Sequence, residues 1–336
     1  MNWYDNLYGL EIDISSYCNA ECPSCRRTWH LDEIPLVHFD TDVWERIWTQ
    51  DLKGKKVQKL VLNGNWGDPG MHKNLVEMLD LPHRHNPDIT LMIDTNGGMR
   101  DTKFWADLAQ LLNSKYKNST VRFGIDGTDN ETNDKYRVKV SYDKAIENAR
   151  AFIDNGGMAQ WKFTVFDHNV HQVQQAYKLA EQYGFFIFHS RKSYARKIYD
   201  KFHTVKCTTE CYDTHNHNDI FFMRVWKDRK TYSNVSRNMP NELGHPCPWY
   251  NTTRVQIDPY MNVWPCCHIS GELHSTERLD IKVDSWNKHG VKHNNLANNT
   301  LEDVLTGDYF TQTIPDAVDN GSWQPCRKIC GIEQNV

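Results

Sequence analysis

Gly9-Leu10-Glu11-Ile12-Asp13-Ile14 leads, by way of Ser15-Ser16-Tyr17, into Cys18-Asn19-Ala20-Glu21-Cys22-Pro23-Ser24-Cys25. The first segment is short, rich in branched aliphatic residues and bounded by turn formers, which is how a β-strand reads. The loop after it carries three thiols, soft ligands suited to an iron–sulfur cluster or to zinc. A structural zinc site wants a fourth donor, typically from paired Cys-x2-Cys units. Here His30 is the neighbour that could be borrowed. Three thiolates with no fourth leave one metal position open, and an open position is how a catalytic centre is built.

Working outward, the strand–loop junction is the first of a series. Further strand candidates lie at Val57 to Leu62, Ile89 to Asp94, Thr120 to Ile125, Trp161 to Phe166 and Phe185 to Phe188. Helical periods separate them. Phe104, Leu108, Leu111 and Leu112 form one apolar stripe. Tyr142, Ala145, Ile146, Ala149, Phe152 and Ile153 form another, opened by Ser141 and closed by Gly156. Val170, Val173, Tyr177 and Ala180 form a third, closed by Gly184. Six such alternations imply parallel strands joined by right-handed crossovers. A doubly wound sheet and a partial (β/α) barrel both satisfy the pattern, and in either the chemistry belongs where strands end and loops begin.

From about Ser193 the pattern turns polar, His-rich and irregular, with one strand candidate at Ile220 to Val225. A hairpin follows, Thr253 to Ile257 and Val263-Trp264 around Asp258-Pro259-Tyr260-Met261-Asn262. A helix capped by Thr300, with Asp303 three residues on, starts at Leu301.

The 336 residues carry a formal net charge of -4, without the basic stripe of a general nucleic-acid binder. No apolar run is long enough to span a bilayer, and the first residues show no signal-peptide pattern, so the expected setting is cytoplasmic. In a reducing compartment ten cysteines call for metal or redox chemistry rather than disulfides. They cluster at 18, 22 and 25, at 207 and 211, at 247, 266 and 267, and at 326 and 330, which suggests two metal centres.

Cys-x3-Cys-x2-Cys after the first strand of a β/α chain resembles the radical S-adenosylmethionine (radical SAM) superfamily, and later motifs fall in the matching order. Gly64-Asn65-Trp66-Gly67-Asp68-Pro69 is similar to the family's Gly-Gly-Glu-Pro segment, Thr95-Asn96-Gly97 to its ribose-side turn, and Gly124-Ile125-Asp126-Gly127 with Arg137 to its Ser-Ile-Asp-Gly and arginine pair. Asp68 stands for the usual glutamate, and Gly124 for the serine. Ser24 stands where an aromatic residue often packs on adenine. The resemblance covers roughly residues 9–190 and implies a partial (β/α)6 TIM-like barrel. It also implies a 4Fe-4S cluster on Cys18, Cys22 and Cys25, with S-adenosylmethionine held by Ser24, Gly67, Asp68, Thr95, Asn96, Asp126, Arg137 and Asn169.

From about Gly244 the order cysteine, hairpin, cysteine, helix, cysteine pair is similar to the SPASM/twitch domains of the same superfamily. That resemblance implies a small α+β domain in which Cys247, Cys266, Cys326 and Cys330 hold an auxiliary 4Fe-4S cluster, with Cys207, Cys211 and Cys267 unassigned. The expected division is a barrel over 1–192, a connector over 193–243 and the auxiliary domain over 244–336.

The function this implies is reductive cleavage of S-adenosylmethionine to a 5′-deoxyadenosyl radical, which abstracts hydrogen from substrate. The auxiliary cluster then assists a dehydrogenation or a peptide modification. An external donor such as flavodoxin or ferredoxin would supply the electron. The chain opens at its first strand with no peptide-recognition domain before it, which points to a small molecule or a short, directly bound peptide. Lys162 and His189, at strand ends, could face that substrate as acid or base, and Trp29 could shield the loop. The competing readings are an iron–sulfur electron carrier or maturation scaffold, and a zinc-stabilised binding module. Neither needs the Gly67-Asp68, Thr95-Asn96 and Asp126 motifs to follow strands.

Overall fold

The computed structural model describes residues 2–192, 221–224, 247, 249, 252–272, 293–319 and 323. Nine strands form one sheet among them: β1 (Gly9–Ile12), β2 (Lys59–Leu62), β3 (Thr90–Thr95), β4 (Asn118–Gly124), β5 (Ala159–Val165), β6 (Ile187–Lys192), β7 (Phe221–Arg224), β8 (Arg254–Ile257) and β9 (Val263–Trp264). β1 to β6 lie side by side in chain order, all parallel. The architecture is therefore α/β with a mainly parallel sheet, and all six expected strands form within a few residues of their expected places. The expected strand at Ile220 to Val225 is β7, antiparallel to β6.

The expected hairpin also forms, as β8 and β9. β8 runs parallel to β1 on its free side, with Gly9 opposite Arg254 and Ile12 opposite Ile257. The amides of Tyr8 and Asp13 donate to the carbonyls of Thr253 and Ile257 at 3.1 and 2.9 Å. Cys207, Cys211, Cys326 and Cys330 lie outside the described residues, as does most of the expected connector 193–243.

The strands alternate sharply between two faces. Leu10, Ile12, Leu60, Leu62, Leu91, Ile93, Val121, Phe123, Trp161 and Phe163 are wholly buried on one face. Three helices supply their partners: Thr102–Lys115 through Trp105 and Leu108, Tyr142–Asp154 through Ala149 and Phe152, and Val173–Gln182 through Ala176 and Ala180. Each large side chain buried this way stabilises the fold by about 1.5–3 kcal/mol, so this face holds the molecule together. The intervening positions carry Glu11, Asp13, Asn63, Asp94, Arg122 and Lys162. A sheet covered by helices on both faces would read apolar on both. This one is apolar on a single face, and the polar face is left for a site.

The helix boundaries follow the sequence signals. Ser141 caps its helix by accepting from the Lys144 amide, and Gly156 and Gly184 end theirs in the left-handed region at φ 88° and 80°. Trp44, Trp105 and Trp161 are buried with each indole N–H donating to a backbone carbonyl at 2.9–3.1 Å. The C-terminal helix Leu301–Thr306 has the expected capping box between Thr300 and Asp303. It is seated on the N-terminal half, where the buried Asp51 accepts from the Leu301 amide at 3.0 Å. No helix among the described residues is long and apolar enough to cross a membrane.

Asp13, just past β1, gathers three segments. It accepts from the Asn65 amide at 2.8 Å and from Gln256 of β8 at 2.5 Å, and is fully buried. Burial outweighs these hydrogen bonds and raises its carboxyl to about 7. The folded state thus holds this proton more tightly than the unfolded chain, whose Asp titrates near 3.9. The stability it contributes is complete below about pH 4 and is lost as pH rises through about 7. Asp13→Asn mimics the protonated form. The wild type should lose thermal stability relative to this variant between those limits, and parallel melting-temperature profiles would refute the assignment.

Candidate active site

The three cysteines of the loop after β1 open onto a cleft of about 380 Å³ on the polar side of the sheet. They are in no disulfide. The loop is held from beneath by Arg27, itself buried, which donates to the carbonyls of Ser16 at 2.7 Å and Ala20 at 3.5 Å. From outside, the Glu21 amide donates to the Val138 carbonyl at 3.0 Å. Hydrogen bonds already reach the sulfurs. Cys18 Sγ accepts from the Ala20 amide at 3.4 Å and from Asn96 Nδ2 at 3.6 Å, and Arg137 Nη1 lies 3.8 Å from Cys22 Sγ. Burial, with Asp68 near, pushes the Cys18 thiol up to about 12, and burial pushes Cys22 up to about 11 against the pull of Arg137. Protons therefore stay on these sulfurs until a metal displaces them.

The segment after β2 fits under the loop because Gly67 has no side chain. A Cβ there would meet the carbonyl oxygen of Ser15, and that of Tyr17 at 2.6 Å. Next to it the Asp68 amide donates to the Tyr17 carbonyl at 2.8 Å. The Asp68 carboxylate turns inward and accepts from the Gly70 amide at 2.9 Å, the Thr95 hydroxyl at 3.0 Å and the Asn96 amide at 2.8 Å. Burial raises it to about 6 in spite of these donors. Asn96 also donates to Asn19 in the cysteine loop at 2.8 Å. The turn continues through Gly97, which has φ 72° and packs on Phe123.

Beyond β4, Asp126 is fully buried and accepts from Arg137 Nε at 2.6 Å and from the Thr164 amide at 2.5 Å. Burial opposes the Arg137 charge, but Asp126 holds the guanidinium above its ordinary value. That guanidinium lies across Gly124, where a Cβ would stand 2.6 Å from Nη2. The missing side chain at 124 is thus what makes room for the arginine. Asn169 donates to the carbonyls of Asp126 at 2.8 Å and Thr164 at 2.9 Å, and so fastens the ends of β4 and β5.

Of the residues singled out in the sequence, Cys18, Cys22, Cys25, Gly67, Asp68, Thr95, Asn96 and Arg137 line the cleft. Asp126 and Asn169 stand behind it as supports. Ser24 also stands off, with its hydroxyl 2.7 Å from that of Tyr136, and it is Tyr136 that faces the cleft. Trp29 is 47% exposed and donates to the Pro23 carbonyl. Cys247 and Cys266 are buried. Cys267 lines the cleft with His268.

Residues not foreseen form the floor: Asn63, Asp94 and Arg122, with the half-foreseen Lys162. Arg122 grips Asp94 through two parallel hydrogen bonds, Nε to Oδ1 at 2.6 Å and Nη2 to Oδ2. Although burial pushes the other way, that pair holds the Asp94 carboxyl below its usual range. Burial first, then the Arg122 charge, lower Lys162 to about 8. The signal for this floor was present as polar residues recurring at every second position of otherwise apolar strands. Among the described residues no three His, Cys, Asp or Glu side chains converge on a single-ion site.

Removal of Asp126 alone would leave a largely buried guanidinium, its side chain 17% exposed, without its counter-ion, a change that costs at most about 3–5 kcal/mol. Asp126→Ala should lower stability by up to that amount in urea denaturation, and adding Arg137→Met should recover part of it. Full additivity of the two losses would refute a coupled pair.

The sequence profile of the radical SAM superfamily matches residues 12–180. Among solved structures, Streptococcus suis SuiB bound to the precursor peptide SuiA is similar at 17% identity and TM-score 0.61, over 92% of this chain and 67% of that one. SuiB bound to S-adenosylmethionine gives 17% and 0.57, over 81% and 62%. Native anSMEcpe with bound AdoMet and Cp18Cys peptide gives 15% and 0.55, over 96% and 85%. This chain therefore spans about two thirds of the length of SuiB, and at these identities the likeness is one of fold. No curated protein matches the sequence.

Proposed function

This chain belongs to the radical SAM superfamily, and on that premise we propose that Cys18, Cys22 and Cys25 hold a 4Fe-4S cluster at which S-adenosylmethionine is reductively cleaved. The observation that carries the reading is the opening of all three sulfurs onto the one cleft where the ends of β2, β3 and β4 present Gly67, Asp68, Thr95, Asn96 and Arg137. The donor set suits the group: three soft sulfurs on one short loop, already within reach of backbone, amide and guanidinium N–H donors. A zinc module borrowing His30 is less well served, since a single ion needs its donors to converge on one point.

When bound, the cluster and S-adenosylmethionine supply the radical chemistry by which hydrogen is abstracted from substrate. The chain's own residues position and shield. Arg137, locked by Asp126, sets a fixed positive charge beside Cys22 and would hold the cofactor carboxylate. Asp68 orders the turn that offers Thr95 and Asn96 to the ribose side, acting through the backbone as much as through its own oxygens. Ser24 acts through Tyr136, whose ring faces the cleft in place of the aromatic residue missing at 24 and rests on Phe166 with centroids 4.3 Å apart. Asn169 keeps Asp126 in place.

The six parallel units read as a partial (β/α)6 barrel with the cleft inside it. SuiB with SuiA and anSMEcpe with its peptide are complexes with peptides, which inclines the substrate here towards a peptide over a small molecule. Cys247 and Cys266, with Cys326 and Cys330, are proposed to hold an auxiliary 4Fe-4S cluster, in a C-terminal unit from about residue 244, that assists oxidation or peptide modification. A flavodoxin or ferredoxin would deliver the electron.

The reconstituted, dithionite-reduced protein should release 5′-deoxyadenosine from S-adenosylmethionine by mass spectrometry, and Cys22→Ala should lose it. An iron-loaded wild type that makes none would refute the catalytic reading in favour of an electron carrier. Cys326→Ala should lower total iron by about four per chain if one four-iron cluster is lost. Unchanged iron would remove the auxiliary cluster.

A further inference from the structure

We propose that Lys162 receives a carboxylate of the substrate at the floor of the cleft, so that the substrate, or the residue of it that reacts, is a carboxylic acid. The proposal rests on the reading of this cleft as the active site.

Arg122, Arg137 and Lys162 stand together at the floor, and the two arginines are already matched. Arg122 is paired with Asp94, and Arg137 with Asp126. Both pairs are geometrically complete, each acid having an N–H donor at 2.6 Å. Lys162 lines the same cleft, yet among the described residues no carboxylate lies within ion-pair distance of its ammonium group and no acceptor within hydrogen-bond distance. Its nearest charges are those of Arg122, Asp94, Arg137 and Asp126, which already serve one another. Asp68, the other acid lining the cleft, is taken up by the Gly70 and Asn96 amides and the Thr95 hydroxyl, so Lys162 keeps its charge in a partly dehydrated place without a carboxylate of its own.

An ammonium group taken from water and left unpaired is costly. Lys162 bears this in part by a lowered proton affinity, and at about 8 it still stays charged at neutral pH. The strands show why it has no internal partner. In register its neighbour on β4 is Gly124 and on β6 His189, neither of them an acid. The gap over Gly124 is filled by the Arg137 guanidinium, a second cation. Lys162 lacks a carboxylate partner, and the cleft leaves space from which a ligand can bring one.

One ammonium group with Asp94 and Asp126 close by suits one carboxylate, whereas the second charge of a phosphate dianion would lie against those two acids. A carboxylate could come from the substrate or from S-adenosylmethionine, and the test separates the two. Arg137, beside the cysteine loop, serves the cofactor, while Lys162 belongs to β5 and the floor.

The test is lysine acylation of the cluster-loaded full chain, followed residue by residue by mass spectrometry. Butyrate, its uncharged amide and S-adenosylmethionine are added separately. At ten times its dissociation constant butyrate should slow modification of Lys162 by about tenfold, with exposed Lys53 unaffected, while the amide and S-adenosylmethionine leave Lys162 reactive. Calorimetry should show butyrate binding retained in Lys162→Arg and lost in Lys162→Gln. Equal protection by acid and amide, or no protection by butyrate, overturns the proposal. Full protection by S-adenosylmethionine alone overturns it too, by giving the lysine to the cofactor. Release of 5′-deoxyadenosine from the same preparation judges the parent reading separately. Butyrate protection without that product keeps the carboxylate site and removes the radical chemistry.

Discussion

Asp68 keeps its carboxylate out of water, where a charge without partners would be driven to take up a proton. It is tolerated because the amides of Gly70 and Asn96 and the hydroxyl of Thr95 all point at it. The same residue's own amide is bound to the Tyr17 carbonyl at the foot of the cysteine loop. One side chain thus ties the ends of β2 and β3 together and seats the loop against them. Gly67 allows this contact, since the backbone passes too close to Ser15 and Tyr17 for any side chain.

The sheet supplies the second organising constraint. Its apolar face is consumed by helix packing, which leaves the polar face to hold charges in a confined space. Confinement demands pairing, and pairing is what the structure shows in Arg122 with Asp94, Arg137 with Asp126 and Arg254 with Glu11. A carboxylate gripped by a planar guanidinium is fixed in direction as well as in charge. Such pairs give the cleft rigid walls without apolar filling, and a rigid polar wall suits a site that must orient a cofactor and a substrate together.

Much of this was legible in the sequence. The strands β1 to β6 and their helices announced themselves through period and punctuation, because Gly156 and Gly184 can turn the chain where few other residues can. The cysteine loop and the turns at Asp68, Asn96 and Asp126 were legible as motifs following strands. The roles within the motifs were less so. Asp126, Asn169 and Ser24 stand a layer behind the cleft, and distance from a cavity has no signature in one dimension. Asp94 and Arg122 escaped notice because each, taken singly, reads as a solvated strand residue. Their pairing depends on β3 and β4 being neighbours in register. The union of β8 with β1 was hidden for the same reason: local pattern shows that Arg254–Ile257 is extended, and says nothing of which edge it will join.

That union orders events in time. β1 carries the cysteine loop and emerges early in synthesis, whereas the strand that covers its outer edge is made only after β2 to β6. Pairings between parts so far apart in sequence form slowly. Until they form, the nascent chain displays an unpaired edge next to three thiols, a surface open to illicit strand addition. Arrival of β8 closes that interval. The topology therefore fixes an order in which the cysteine loop is made first and the strand edge beside it is sealed last.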